Sequence, residues 1–474
     1  MLFPTFEYAV FFSVTFVGSW LLRPHARAWR WFILGASYVF YAWWDPRFTL
    51  LLAGSTLINQ TAALAIHRSA DPRRRRAALT LAVIANLGVL GFFKYYGFFL
   101  TSVAGGLAKV GIHATPPLLQ IVLPVGISFF TFQALSYVID TYRDDTEPAP
   151  WLDFAVYLSF FPHLVAGPIV RARELLPQLK QRPDPRRVNA ALAFRLIFGG
   201  LFKKVVVSSF VSSAIVETVF ANPGQHTNLE ILFGIYGYAV QIYADFSGYT
   251  DIAIGCALLL GLRFPQNFDA PYAATSIQSF WRKWHMTLSF WLRDYVYIPL
   301  GGNHGGPSRM RRNLFLTMVI GGLWHGAAWT FVAWGAIHGG ALVLERMWYD
   351  RRAARGVHVA EPGPMGLAFR WFITFHIVCL GWVFFRAESF TKAGEVLTRL
   401  VTAWGVGTLV KPMVVFVIVA MIAAQFVPSD IPNRAQDLFS RASPVLQGVG
   451  LALGLLIIDA LGPVGVAPFI YFQF

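Results

Sequence analysis

Three side chains in this sequence stand out for the chemistry their surroundings permit. His325 lies in "LWHGAAW", walled by Trp324 and Trp329, with Gly326 removing a side chain beside it. His285 lies 40 residues earlier, in "SFWRKWHMTLSFWLRDYVYIPLGGN" at 279–303. Tyr471 carries the one hydroxyl among the four rings of "PFIYFQF", residues 468–474. An imidazole close to its unperturbed pKa takes or gives a proton near neutral pH. Ionisable groups inside a membrane are candidates for function by default.

The elements that hold these residues are membrane helices. Of 474 residues, 56% are hydrophobic and 13% charged, about half the charged fraction of a soluble domain. Apolar runs long enough to approach or cross a hydrocarbon core of about 30 Å recur along the chain. They fall near 6–22, 31–44, 48–66, 78–100, 118–139, 151–169, 196–220, 229–262, 313–344, 367–386, 409–427 and 446–467. With 151–169 set aside as doubtful, they predict an all-α polytopic protein of about eleven spans, with re-entrant and interfacial helices, in one domain over 1–474. The first run is read as a membrane helix. "MLFPTFE" carries Glu7 and no cation, and no small-residue cleavage site follows, which excludes a secretion signal. Cys256 and Cys379 sit far apart in apolar runs, as small packed side chains.

The net charge of +15 gathers in short connectors at 23–30, 67–76, 171–195, 309–312 and 346–355, whereas 101–117 and 221–228 are poor in charge. That asymmetry places the basic connectors in the cytoplasm and both termini outside, and it makes nucleic acid an unnecessary partner. Two places break the alternation. Segment 151–169, with Pro162 and Gly167-Pro168, lies between two cytoplasmic-looking connectors and reads as re-entrant. The run from Asn313 to Leu344 also lies between basic connectors, so it must go up and return. Thirteen residues from Asn313 to His325 make about 20 Å of helix, too short to span. The turn at "LWHGAAW" is therefore expected within the membrane, lining a cavity reached from the cytoplasm, with His325 near its blind end.

Trp281, Trp284, Leu288, Trp291 and Tyr295 recur at helical spacing, which predicts one amphipathic helix on the membrane surface, with His285 at the edge of its aromatic face. "GGNHGG" at 301–306 reads as a flexible turn rather than a phosphate cradle. His338 and His376 read as packed residues bonded to carbonyls, and His163 in "FFPHLVAGPI" as structural. No carboxylate or cysteine joins His285, His325 and His338 at ligand spacing, so no metal is expected.

"WRKWHMTLSFWLRDYVYIPLGGN" and "GLWHGAAWTFVAWGAIHG", with "FFPHLVAGPIVR" and "QIYADFSGYTDIAIG" upstream, resemble the membrane-bound O-acyltransferase (MBOAT) family, and within it the bacterial polysaccharide O-acetyltransferases of the alginate type. The resemblance covers essentially the whole chain. It implies a ring of helices around a thinned central cavity, cytoplasmic access for an acyl thioester, His325 as the catalytic histidine and His285 as the second motif histidine. It further implies an inner-membrane location, membrane lipids as surroundings, an extracytoplasmic acetyltransferase partner acting on a polysaccharide, and no bound cofactor beyond acetyl-CoA or an acyl carrier protein as donor. In the related teichoic-acid D-alanylation system, a small membrane peptide ends in a similar aromatic stretch whose tyrosine is thought to carry the acyl group. By that likeness Tyr471 is expected to accept the acyl group as an ester, the alternative being an interfacial aromatic anchor. A lipid-modifying acyltransferase keeps the same chemistry with another acceptor. A transporter would use interior polar residues such as Gln133, Asp245 and Asp251.

Overall fold

Apolar runs interrupted by glycine, proline and polar residues fold here as helices of uneven length, several of them loosened by π-turns. The computed structural model describes residues 1, 3–113, 119, 121–181, 183–356, 362–428 and 430–462. These residues are helices, turns and irregular connections without a strand. They cluster into two compact units, Met1–Ala193 with Ala253–Pro265, and Phe194–Ile252 with the chain from Gln266 onward. Among the described residues four helical runs are long and apolar enough to cross a membrane: Arg47–Arg68, Pro72–Ala108, Pro364–Arg386 and Pro444–Leu461. The other apolar runs are shorter, interrupted or carry polar residues, so length and composition alone do not count them as spans.

In the first unit the Arg47–Arg68 helix packs on Pro72–Leu90 and Ile127–Tyr142. Polar side chains join these helices at buried points. Asn59 and Asn86 exchange amide hydrogen bonds of 3.2 and 2.7 Å, and Tyr137 donates to Gln60 at 2.8 Å. The segment read as re-entrant is two short helices, Trp151–Ser159 and Phe161–Leu164, buried along most of its length. His163 Nε2 lies 2.9 Å from the Tyr157 carbonyl, and its ring stacks on Phe264 at 5.2 Å. Cys256 and Cys379 are both free and buried.

The second unit is built on a helical hairpin. Pro307–His325 packs along Trp329–Ala354, which in turn packs on Pro364–Arg386. Glycines let the first two backbones approach closely, in the way small residues do at helix interfaces in membranes. A Cβ on Gly322 would run into the Phe331 carbonyl, and one on Gly335 into the Met318 carbonyl. The hairpin's first arm begins at Pro307, six residues before the Asn313 expected from hydrophobicity. Proline suits the first helical turn, and Arg309, Arg311 and Arg312 extend the helix beyond its apolar part. The arm is therefore 19 residues, about 28 Å, rather than about 20 Å.

One expectation is overturned. The aromatic stripe at 279–303 is not one surface helix. Ile277–Trp281 and Met286–Leu292 are separate helices, followed by a π-turn at Arg293–Tyr297. Trp281, Trp284, Leu288, Trp291 and Tyr295 are all buried within the protein. The periodicity survives because each short helix keeps its apolar face inward, but the axis breaks at His285.

Candidate functional site

His325 ends the Pro307–His325 helix, and the next helix begins at Trp329, so the break falls at Gly326–Ala328, within "LWHGAAW". Gly326 has an extended backbone, φ −161°. Space, rather than a special dihedral, requires glycine there, because a Cβ would collide with the Phe331 ring. The His325 ring is 3% exposed. It meets Trp324, Trp334 and Phe385 edge-to-face at centroid distances of 5.0, 4.9 and 5.1 Å. Edge-to-face packing suits the ring quadrupoles and fixes the imidazole plane.

His285 is fully buried and has a left-handed backbone, φ 43° and ψ 54°. A non-glycine residue in that region costs roughly 1–2 kcal/mol and persists only where its surroundings over-determine it. Asn267 supplies that constraint. Its backbone carbonyl accepts the Met286 N–H at 2.9 Å. Its side-chain oxygen accepts from Thr287 N at 3.1 Å, Thr287 Oγ1 at 2.8 Å and His285 Nδ1 at 3.1 Å. The backbone N–H of Thr287 can only donate, so it forces the amide oxygen, and not the amide NH₂, to face the cluster. His285 Nδ1 must then carry the proton, which leaves Nε2 as a bare acceptor. Nε2 is buried without a protein hydrogen-bond partner among the described residues. The ring stands edge-on to Phe246 at 4.6 Å and lies 6.1 Å from Trp324. Trp324 thus touches both histidines. The arrangement is two buried imidazoles in an aromatic setting, one of them held with an unprotonated nitrogen.

A third histidine joins them. His338, expected to bond a carbonyl, is fully buried with neither ring nitrogen hydrogen-bonded among the described residues. Its neighbours are rings and glycine rather than carbonyls, with Trp334 between it and His325 at 4.9 Å from each. His376 does follow expectation: its Nδ1 lies 2.7 Å from the Phe372 carbonyl, and Nε2 meets the Tyr236 hydroxyl at 2.7 Å. The "GGNHGG" segment is a turn with left-handed glycines at 301, 302, 305 and 306.

Asp245 and Asp251 are ion-paired. Lys203 Nζ reaches Asp251 at 2.5 Å and Ser247 Oγ at 3.0 Å, and Lys204 pairs with Asp245 where both side chains are 3% exposed. Gln133 is fully buried in the other unit. Among the described residues no group of three His, Cys, Asp or Glu side chains is placed to hold a metal ion. Tyr471 lies outside the described residues. Asn267 was not anticipated from the sequence: it sits in the extended connection before His285, where neither periodicity nor a motif marks it.

A family model described as MBOAT, membrane-bound O-acyltransferase family, matches residues 118–385. The chain is 43% identical to the probable alginate O-acetylase of Pseudomonas aeruginosa over 83% of its length and 73% of that protein. It is 39% identical to the peptidoglycan O-acetyltransferase of Helicobacter pylori, over 85% of its own length and 80% of the other. It is 29% identical to the teichoic acid D-alanyltransferase of Streptococcus thermophilus, over 58% and 70% respectively. The matched region contains Asn267, His285, His325 and His338, and the chain belongs to the membrane-bound O-acyltransferase family, as an acyltransferase of the membrane.

Proposed function

We propose that this protein moves an acetyl group from a cytoplasmic thioester, acetyl-CoA or an acyl carrier protein, toward O-acetylation of an extracytoplasmic polysaccharide. The observation that carries the reading is the pairing of His325, at the helix break, with His285, poised in one tautomer, through the shared ring of Trp324. His325 takes the proton of an acceptor hydroxyl as its oxygen attacks the thioester carbonyl, forming the new C–O bond. When the C–S bond breaks, the thiolate leaves and recovers that proton from the imidazolium. The bare Nε2 of His285 accepts a hydrogen bond from donor or acceptor and orients it. No metal or bound cofactor has a part in these steps.

In this reading the acceptor hydroxyl is Tyr471. A phenol, with an ordinary pKa of about 10, serves both as nucleophile and as a leaving group better than an alkyl alcohol. Its ester is passed to an extracytoplasmic acetyltransferase partner. The protein sits in the bacterial inner membrane with about eleven crossings, and both termini are extracytoplasmic. The alginate and peptidoglycan acetylating activities named for the relatives support a polysaccharide over a lipid acceptor.

His325→Ala removes the base without touching the long apolar surfaces that hold the helices together. Acetyl incorporation into cell polysaccharide, measured at matched protein level, should fall to background, and normal incorporation would refute the assignment. Tyr471→Phe keeps the ring and deletes only the hydroxyl. Lost acetylation with normal insertion supports the relay, whereas full acetylation reduces Tyr471 to an anchor.

A further inference from the structure

We propose that His338, Trp281 and Trp334 form a seat for a secondary amide of the donor's thiol arm, reached from His325 across the ring of Trp334. The inference rests on the thioester reading above.

Three buried polar edges meet here. His338 is fully buried, Trp334 is 1% exposed and Trp281 8%. Their rings lie close together, Trp281 to His338 at 5.2 Å, Trp334 to His338 at 4.9 Å and Trp281 to Trp334 at 5.6 Å. Both nitrogens of His338 and the indole N–H groups of Trp281 and Trp334 are without hydrogen-bond partners among the described residues. Leaving one buried polar group unsatisfied is costly, and four on three touching rings form a group that wants an occupant. Phe280 lies parallel to the imidazole at 6.0 Å and Trp382 flanks it at 6.4 Å. Gly381 completes the wall: a Cβ there would stand 2.7 Å from His338 Nε2 and 3.3 Å from Trp334 Cδ1.

The inventory defines the ligand. Two indoles can only donate, and a neutral imidazole donates once and accepts once. The complement is a group with a carbonyl oxygen able to accept and one N–H to donate, which is a secondary amide. A free carboxylate would leave the imidazole acceptor empty, and an aliphatic chain would satisfy none of the four.

Placement agrees with composition. Trp334 and His338 are one turn apart on the same helix, about 6 Å along its axis. Trp334 touches His325, the base of the proposed transfer. In a pantetheine-type arm only two methylene groups separate the thioester sulfur from the first amide, so an arm whose thioester is at His325 carries that amide along the Trp334 ring, which touches both His325 and His338. His338 in this role is a binding residue that sets the register of the donor and takes no proton from the reacting atoms.

Thiol release by membranes containing the full-length chain tests this with two matched donors. S-acetyl-N-acetylcysteamine carries the amide, and its ester isostere, 2-acetoxyethyl thioacetate, lacks only the N–H. The wild type should prefer the amide in kcat/KM by about tenfold or more, because a buried site built to pair an N–H rejects the analogue without it. His338→Phe should bring the ratio to about one by lowering kcat/KM on the amide far more than on the ester, and Gly381→Ala, which crowds the same ring without changing it, should do likewise. His338→Gln, which retains an acceptor, should recover part of the preference and replaces His338→Phe if that variant inserts poorly. An unchanged ratio in these variants, an equal loss on both donors, or no preference in the wild type overturns the seat. Turnover of neither donor by the wild type overturns instead the thioester reading beneath it.

Discussion

At the scale of single residues, the chemistry open to His285 turns on which of its nitrogens carries the proton. Asn267 settles this by accepting three hydrogen bonds at one oxygen, among them a backbone N–H that cannot reverse its direction. Asn267→Ala would remove the acceptor that holds His285 Nδ1 beside a strained left-handed backbone. The ring would then be free to turn, and the population with a bare Nε2 aimed into the site would drop. Acetyl transfer should fall about 100-fold while the protein still inserts and is recovered from membranes at normal yield. Quantifying turnover per molecule of membrane-inserted protein checks this, and a variant within threefold of wild type would show that Asn267 does not position the imidazole. His285 and His325 were legible in the sequence because histidine is conspicuous in apolar surroundings and because Gly326 marks a break. Asn267 was not legible, since an asparagine in an extended connection has no periodic signature, and its partner stands 18 residues away. His338 was visible as a residue, but its lack of partners appears only once the helices around it are placed.

At the scale of elements, broken helices are the recurring device. The hairpin break at Gly326–Ala328 was legible from connector charge, whereas the length of its first arm was not, because the arginines before Asn313 lengthen the helix to 19 residues. The break at His285 was hidden by the aromatic stripe, because two short helices with buried faces keep the same spacing as one long helix. The π-turn Phe202–Ser208 is a third irregularity, and it presents Lys203 and Lys204 to the Asn228–Leu259 helix. Widening the helical turn places consecutive lysines against Asp251 and Asp245, as two ion pairs along one contact. Gly200 and Gly248 bring these backbones together, since a Cβ on Gly248 would stand 2.7 Å from the Gly200 carbonyl. The Lys204–Asp245 pair is buried, and breaking such a pair by removing one partner typically costs about 3–5 kcal/mol. Asp245→Ala should therefore lower the thermal midpoint of the detergent-solubilised protein markedly. Combining Lys204→Met with Asp245→Leu should restore most of it, because an apolar pair needs no charge compensation. If the double variant is as unstable as the single one, the pair contributes more than mutual neutralisation.

At the scale of the whole chain, the uneven distribution of charge is a statement about sidedness. The hairpin Pro307–His325 and Trp329–Ala354 begins with Arg309, Arg311 and Arg312 and finishes with Arg351, Arg352 and Arg355, and Arg311 and Arg346 both pair with Asp350 at 3.1 and 2.9 Å. Antiparallel arms bonded through one carboxylate have their basic ends on the same side, and such concentrations of Lys and Arg are expected in the cytoplasm. The connector "ANPGQHTN" at 221–228 has no lysine or arginine and is expected on the opposite side. Cysteines introduced at His304, Arg355 and Gln225, all exposed positions, read this directly, since the native Cys256 and Cys379 are buried and leave little background. A membrane-impermeant maleimide added to intact spheroplasts should label Gln225→Cys and spare His304→Cys and Arg355→Cys until the membrane is opened. Labelling of His304→Cys and Arg355→Cys from opposite sides would mean that the hairpin crosses rather than returns. His325 would then stand at a kink in a through-going helix, and the cytoplasmic route proposed for the thioester would lose its structural basis.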